Sequence, residues 1–216
     1  MDEIEARGWI ERRFDVPRET MVRLDAFAAL LRSENDRQNL VSRVSLDQLW
    51  LRHFADSAQL LAFAPAPQAS WVDLGSGAGL PGLIVAALHP GPVTLVEARR
   101  LRADFLRRAV DTLGIRAEIL EMRVERLGAR PFDVISARAV APLGKLLDLG
   151  TGLSTINSMW LLPKGKNARS ELEALDASWQ GQFRLEPSVT DPEARIIVAT
   201  GVHRRASRRR VRGKRR

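Results

Sequence analysis

The sequence predicts an α/β fold: a doubly wound, mostly parallel sheet standing behind a helical N-terminal cap. Three observations predict it. Apolar residues recur at helical spacing over the first third, short strand-like runs then alternate with helical ones, and a glycine-rich turn follows the first of those runs.

In the cap, Met21, Leu24, Phe27, Ala28 and Leu31 fall on one face of a helix with Pro17 in its first turn. Ser45-Leu46-Asp47-Gln48 matches a capping box and starts a second helix. Leu46, Leu49, Trp50, His53, Phe54, Ser57 and Leu61 then repeat at helical spacing. Pro65-Ala66-Pro67 ends that helix, so residues 1–66 are expected to form a helical region and 67–202 the α/β domain. Strands are expected at 71–74, 93–96, 117–120, 132–135 and 159–162. Between the second and third lies an amphipathic helix with Leu101, Phe105, Ala109 and Leu113 on one face. Ile196–Ala199 reads as a late strand able to join the sheet antiparallel, after a run with no strong helix pattern. Trp50, Phe54, Trp71 and Trp160 sit within these patterns and are expected in the core rather than as base-stacking platforms.

The 216 residues carry a net charge of +8, and its location is uneven. From His203 onward lie nine Lys/Arg and no acid, which leaves 25 basic against 26 acidic residues in the body. The segment 203–216 is expected to be a disordered basic tail, serving either to neutralise RNA phosphates or simply to solubilise. Arg204, Arg205, Arg208, Arg209 and Arg210 are its candidate RNA contacts. The absence of cysteine excludes disulfides and thiolate metal sites, and the three histidines show no metal-ligand spacing, so no metal is expected. The acidic start Met-Asp-Glu-Ile-Glu is unlike a signal peptide, and no apolar run approaches membrane-spanning length. A soluble, cytoplasmic monomer is the expectation.

The informative stretch is Asp73-Leu74-Gly75-Ser76-Gly77-Ala78-Gly79-Leu80-Pro81-Gly82, between the first strand and a helix with Pro81 suited to its first turn. Glycines there let the backbone turn sharply and approach a ligand at the carboxyl end of the strand. A dinucleotide fingerprint would need a glycine at position 80, where this chain has Leu80, and no G-K-S/T follows to make a P-loop. The resulting G-x-G-x-G preceded by an acid resembles motif I of Rossmann-like, class I methyltransferases. Glu97, ending the second strand, is placed to accept both hydroxyls of an adenosine ribose, each bond worth roughly 1.5–3 kcal/mol. Arg123-Val124-Glu125 follows the third strand, where an adenine edge would lie.

Four stretches together resemble the bacterial family called RsmG or GidB: Arg52-His53-Phe54-Ala55-Asp56-Ser57, the loop ending Gly79-Leu80-Pro81-Gly82, Arg123-Val124-Glu125, and Ile135-Ser136-Ala137-Arg138-Ala139. Pro163-Lys164-Gly165 and Asn39-Leu40 also fit. The resemblance spans residues 20 to 200. It implies methylation of a guanine N7 in 16S rRNA of the small ribosomal subunit, with S-adenosylmethionine (SAM) as donor. It further implies Gly75, Leu80, Val124, Glu125 and Arg138 as SAM-binding positions, and the general methyltransferase pattern adds Asp73, Gly77, Gly79 and Glu97. Glu34 and Gln38 stand where the family often has aromatic residues, and the Arg-rich tail is no general family feature.

Guanine N7 carries a lone pair and no proton, so no general base is expected, and the protein's work is alignment. A bidentate arginine grip on guanine O6 and N7 would cover the atom to be methylated. Arg138 is therefore expected to position the reactants through the SAM carboxylate, O6 alone or a phosphate. His53 and Asp56 are read as structural, and Lys164 as either an RNA-phosphate contact or a solvated lysine. Competing functions are a methyltransferase acting on a protein or small molecule, a noncatalytic RNA-binding shell, and a nicotinamide oxidoreductase. The intact loop and Glu97 argue against the second, and the missing third glycine against the third.

Overall fold

The computed structural model describes residues 1–205. Two helices open the chain, α1 (Glu3–Arg13) and α2 (Arg18–Gln38). Asp2 and Glu5 form a reciprocal capping box at the start of α1. Pro17 precedes α2 as its cap, and Asn39 ends it in a left-handed conformation. The expected inward face of α2 is buried from Met21 to Leu31.

The second cap helix departs from expectation. Ser42, not Ser45, accepts the capping bond, at the start of a short α3 (Arg43–Leu46). The chain then runs as a wide π-helix (Trp50–Ala55), a turn of α-helix α4 (Asp56–Ala58) and a 3-10 turn (Gln59–Phe63). The Ser45 hydroxyl is not free to cap, because it bonds back to the Ser42 carbonyl.

Seven strands follow: β1 (Trp71–Leu74), β2 (Val93–Glu97), β3 (Glu118–Glu121), β4 (Val134–Ser136), β5 (Met159–Lys164), β6 (Trp179–Pro187) and β7 (Arg195–Arg204). They form one sheet in the order β3-β2-β1-β4-β5-β7-β6. The first five are parallel, and β7 inserts antiparallel between β5 and β6. The connecting helices are α5 (Gly82–Leu88), α6 (Arg100–Leu113), α7 (Leu143–Gly150) and α8 (Ala168–Glu173). Among the described residues no helix is long and apolar enough to cross a membrane.

Strand residues alternate between two cores, as the period of two requires. Trp71, Leu95, Val134, Leu161 and Val198 face α5, α6 and the whole N-terminal cap. Val72, Leu74, Trp160, Leu162 and Ile197 face α7 and α8. The cap therefore shares one core with the sheet. Trp50, Phe54, Trp71 and Trp160 are all buried, as expected.

Leu101 is a correction: it is 67% exposed, whereas Phe105, Ala109 and Leu113 of α6 turn inward as expected, joined by Ala103 and Leu106. Strand β6 and helix α8 went unforeseen. The basic segment also starts later than expected, since β7 carries through His203 and Arg204.

Glu34 and Gln38 clamp α2 onto α6. The buried Glu34 carboxylate accepts from Arg108 at 2.6 Å and from Gln38 at 2.6 Å. Burial raises its pKa, but these bonds outweigh that and hold it below the usual carboxylate range. Gln38 Nε2 also donates to the Leu101 carbonyl at 3.0 Å.

Candidate active site

A parallel sheet presents a crevice at the carboxyl ends of its strands, on either side of the point where strand order reverses. Here that point lies between β1 and β4. The glycine loop leaves β1 there. Gly75, Gly77 and Gly79 have φ of +65°, +54° and +81°, a region that L side chains rarely adopt. A Cβ on Gly75 would meet Val140 at 2.9 Å, whereas one on Gly77 would find nothing nearer than Arg102 at 3.6 Å. Gly77 thus offers bare backbone toward the crevice, while Gly75 and Gly79 lie under neighbouring side chains.

Two acids fix this loop in different ways. Asp73 lies beneath it, 1% exposed, taking the Ser136 hydroxyl at 2.8 Å and the Gly82 amide at 3.3 Å. Burial pushes its pKa up to about 6, against the opposing pull of those bonds. Expected as a cofactor ligand, Asp73 faces inward and shapes the loop. Glu97 lies alongside the loop: its Oε2 accepts from the Gly77 amide at 2.9 Å and its Oε1 from the Arg99 amide at 2.7 Å. Each oxygen keeps a second lone pair, enough for two hydroxyl groups. The Leu80 side chain is buried in the cap-side core, so only its main chain can reach a ligand. Val124 and Glu125 form a 3-10 turn after β3 at the rim of a smaller pocket with Lys145 and Leu149. The cradle passes a steric and chemical test for an adenosyl ligand: a bare backbone turn, a fixed carboxylate at the next strand end and a partly buried Val124 beyond it.

A larger cleft of about 760 Å³ opens beyond β4 and β5. Val140 joins the two regions, since it lines this cleft and covers Gly75. Arg138, with a side chain 19% exposed, stands in the wall between them. Its Nη2 donates to His53 Nδ1 at 2.9 Å, and its Nη1 donates to the Arg52 carbonyl at 3.3 Å and to Asp56 Oδ2 at 3.5 Å. Asp56 Oδ1 in turn accepts from Gln59 at 2.8 Å and from Thr190 at 3.0 Å. Three distant segments meet at this one carboxylate. Sequence reasoning placed Arg138 but missed Gln59 and Thr190, for which no local signal exists.

The histidine state follows from its partner. A guanidinium only donates, so His53 Nδ1 accepts and the imidazole proton sits on Nε2. Burial, then the positive charges of Arg138 and Arg52, lower its pKa to about 3, so it is neutral at physiological pH. Nε2 is buried with no hydrogen-bond partner among the described residues.

Charge in the cleft is mostly internal. Its acids Asp56, Asp191 and Glu171 pair with Arg138, Arg52 and Lys164. Lys164 is a second correction: 9% exposed, it donates to Glu171 at 2.8 Å and to the Ala141 carbonyl at 3.0 Å, leaving it bound to the protein rather than offered to RNA. Lys166 and Arg195 add positive charge to the rim. Arg204 pairs with Asp148 at 2.6 Å over the Trp179 ring, a structural placement. Arg205 is exposed, its amide bonded to the Ser178 carbonyl at 2.7 Å. Arg208, Arg209 and Arg210 lie outside the described residues.

Solved structures share the fold at low identity. A ribosomal protein L11 methylase from Lactobacillus delbrueckii subsp. bulgaricus matches with a TM-score of 0.56 at 14% identity, over 72% of this chain and 79% of that one. A variant of MtNAS in complex with S-adenosylmethionine matches with a TM-score of 0.57 at 16% identity, over 90% of this chain and 77% of that one. Relatives by sequence are far nearer. The Ribosomal RNA small subunit methyltransferase G of Zymomonas mobilis is 49% identical over 92% of this chain and 94% of its own length. That of Rhizorhabdus wittichii is 51% identical over 95% of each. With its glycine cradle, Glu97 and Arg138 all inside the match of the family's profile to residues 20–194, the chain belongs to the rRNA small subunit methyltransferase G family, GidB.

Proposed function

We propose that the protein transfers a methyl group from SAM to N7 of a guanine in 16S rRNA of the small ribosomal subunit, in the cytoplasm. One observation carries this reading beyond family membership: a cradle suited to an adenosyl group adjoins a net-basic cleft through the shared residue Val140, with Arg138 in the wall between.

Bound SAM supplies a methyl group already activated by the sulfonium. The chain's residues then bind and align. Glu97 would hold the ribose hydroxyls, and the Gly77 backbone would approach the donor closely enough to exclude water. Asp73 keeps the loop in shape from below, through Gly82 and Ser136. Val124 and Glu125 would border the adenine.

Arg138 has two N–H groups unused among the described residues, on Nε and Nη2. These suit guanine O6 or an adjoining phosphate while leaving N7 uncovered. No side chain needs to remove a proton, because N7 has none. The neutral His53 fits that chemistry: it is placed as an acceptor for arginine, not as a base. Lys166 and Arg195 would meet phosphates at the rim.

Methyl transfer from labelled SAM to small ribosomal subunits, compared with a protein lysate, tests the assignment. The label is expected in 16S rRNA as N7-methylguanine. Label in protein alone would overturn the substrate while leaving the donor site standing.

A further inference from the structure

Arg138 does not hold its own position. It leaves the end of β4 after Ala137, and three acceptors on the N-terminal cap receive its guanidinium: the Arg52 carbonyl, His53 Nδ1 and Asp56 Oδ2. All three lie within five residues of one another, more than 80 residues from Arg138 in sequence. A wide π-turn over Trp50–Ala55 carries Arg52 and His53, with Asp56 opening the α-turn that follows it, and such π-turns are frequent at functional sites.

From this geometry we infer that His53 is a positioning residue for methyl transfer, setting the orientation of Arg138 through the lone pair on Nδ1. The inference rests on the proposed role of Arg138 and adds the group that makes that role possible. Packing alone explains the imidazole less well. Leucine has similar volume and would fill the same apolar face beside Phe54 and Trp50 without a buried polar atom. Histidine instead places one nitrogen on the guanidinium and leaves the other, Nε2, with no partner among the described residues. Only the accepting nitrogen has a use here. Asp56 completes the seat but is shared with Gln59 and Thr190, so a change there disturbs the turn between β6 and β7 as well. His53 is the acceptor whose removal isolates the effect on Arg138.

The chemistry specifies the variants. His53→Leu keeps the volume and removes the acceptor. His53→Asn returns an oxygen near the Nδ1 position and sacrifices nothing at Nε2. In the full-length protein acting on small subunits, His53→Leu is expected to lower kcat about tenfold to a hundredfold. Affinity for S-adenosylhomocysteine should stay within about threefold, and His53→Asn should recover most of the loss.

A double-mutant cycle with Arg138→Ala separates this inference from the reading beneath it. If His53 works through Arg138, adding His53→Leu to Arg138→Ala costs little more than Arg138→Ala alone. Additive losses would overturn the inference, as would a His53→Leu enzyme with wild-type kcat. If Arg138→Ala itself left turnover unchanged, the role given to Arg138 would fail, and the inference with it. Should His53→Leu fail to fold, His53→Asn against Arg138→Ala supplies the comparison. An asparagine variant as impaired as Arg138→Ala would overturn the inference.

Discussion

On the β2 side of the crevice, recognition is built from backbone and one carboxylate: the glycines of residues 75–79 and Glu97, joined by the 2.9 Å bond from the Gly77 amide. On the β4–β5 side the proposed contacts are side chains: Arg138 and Thr190 arrive from two remote segments and converge, with the neighbouring Gln59, on Asp56. In the proposed reading, a small, fixed donor molecule would be met by rigid main chain, which loses little entropy on binding. A nucleotide within a large RNA would be met, in the same reading, by a guanidinium that other side chains must aim. The contrast teaches that donor affinity and turnover should respond to different mutations.

The largest expected effect breaks the donor side. Gly79 has φ of +81°, and an added Cβ would run into Leu83 and Leu106. Gly79→Ala should cost on the order of 3 kcal/mol of stability from strain and overlap combined, and reduce SAM affinity beyond detection by calorimetry. Gly77→Ala is the control. Its Cβ has room, so only the left-handed backbone costs, about 1–2 kcal/mol, and the melting temperature should fall by a few degrees while donor affinity still drops.

On the other side, Arg138→Ala should lower turnover by about a hundredfold to a thousandfold, with donor affinity changed far less. Equal losses in both would erase the proposed division between the two halves. Glu97→Ala should do the reverse, weakening SAM by about tenfold to a hundredfold, as befits two charge-assisted bonds, one of them partly replaced by water.

A subtler prediction concerns the foundation of the loop. The Asp73 pKa stands at about 6 against an ordinary 3.8. A carboxyl raised on folding contributes stability that is fully present below pH 3.8 and lost as pH climbs through about 6. The gap corresponds to about 3 kcal/mol. Asp73→Asn lacks this dependence, so wild type should lose ground against it between pH 4 and pH 7 in thermal unfolding, with no further divergence above. The smallest effect is expected at Arg204→Ala, below about 1 kcal/mol, because its pair with Asp148 is half exposed.

The same contrast governs what could be read from the sequence. The donor side is encoded locally: a strand, a glycine turn and an acid ending the next strand sit within the 27 residues from Trp71 to Glu97, each with its own chemical signature. The parallel strands and the inward face of α2 were legible for the same reason, through periodicity. The cleft side is encoded by contacts. Arg138 and His53 are 85 residues apart, and Thr190 is 134 residues from Asp56, so only the fold unites them. Lys164 illustrates the failure: it stands at a strand end, where solvent is the natural expectation, but Glu171 on the unforeseen α8 neutralises it. Strand β6 was missed because it is an edge strand, with Phe183 and Leu185 half-buried between exposed polar residues.

Calorimetric titration of the full-length protein with S-adenosylhomocysteine tests the central claim most directly. One site per chain is expected, weakened at least tenfold by Glu97→Ala and left within about threefold by Arg138→Ala. A folded protein that takes up no ligand, or whose affinity follows Arg138 and ignores Glu97, would contradict the account.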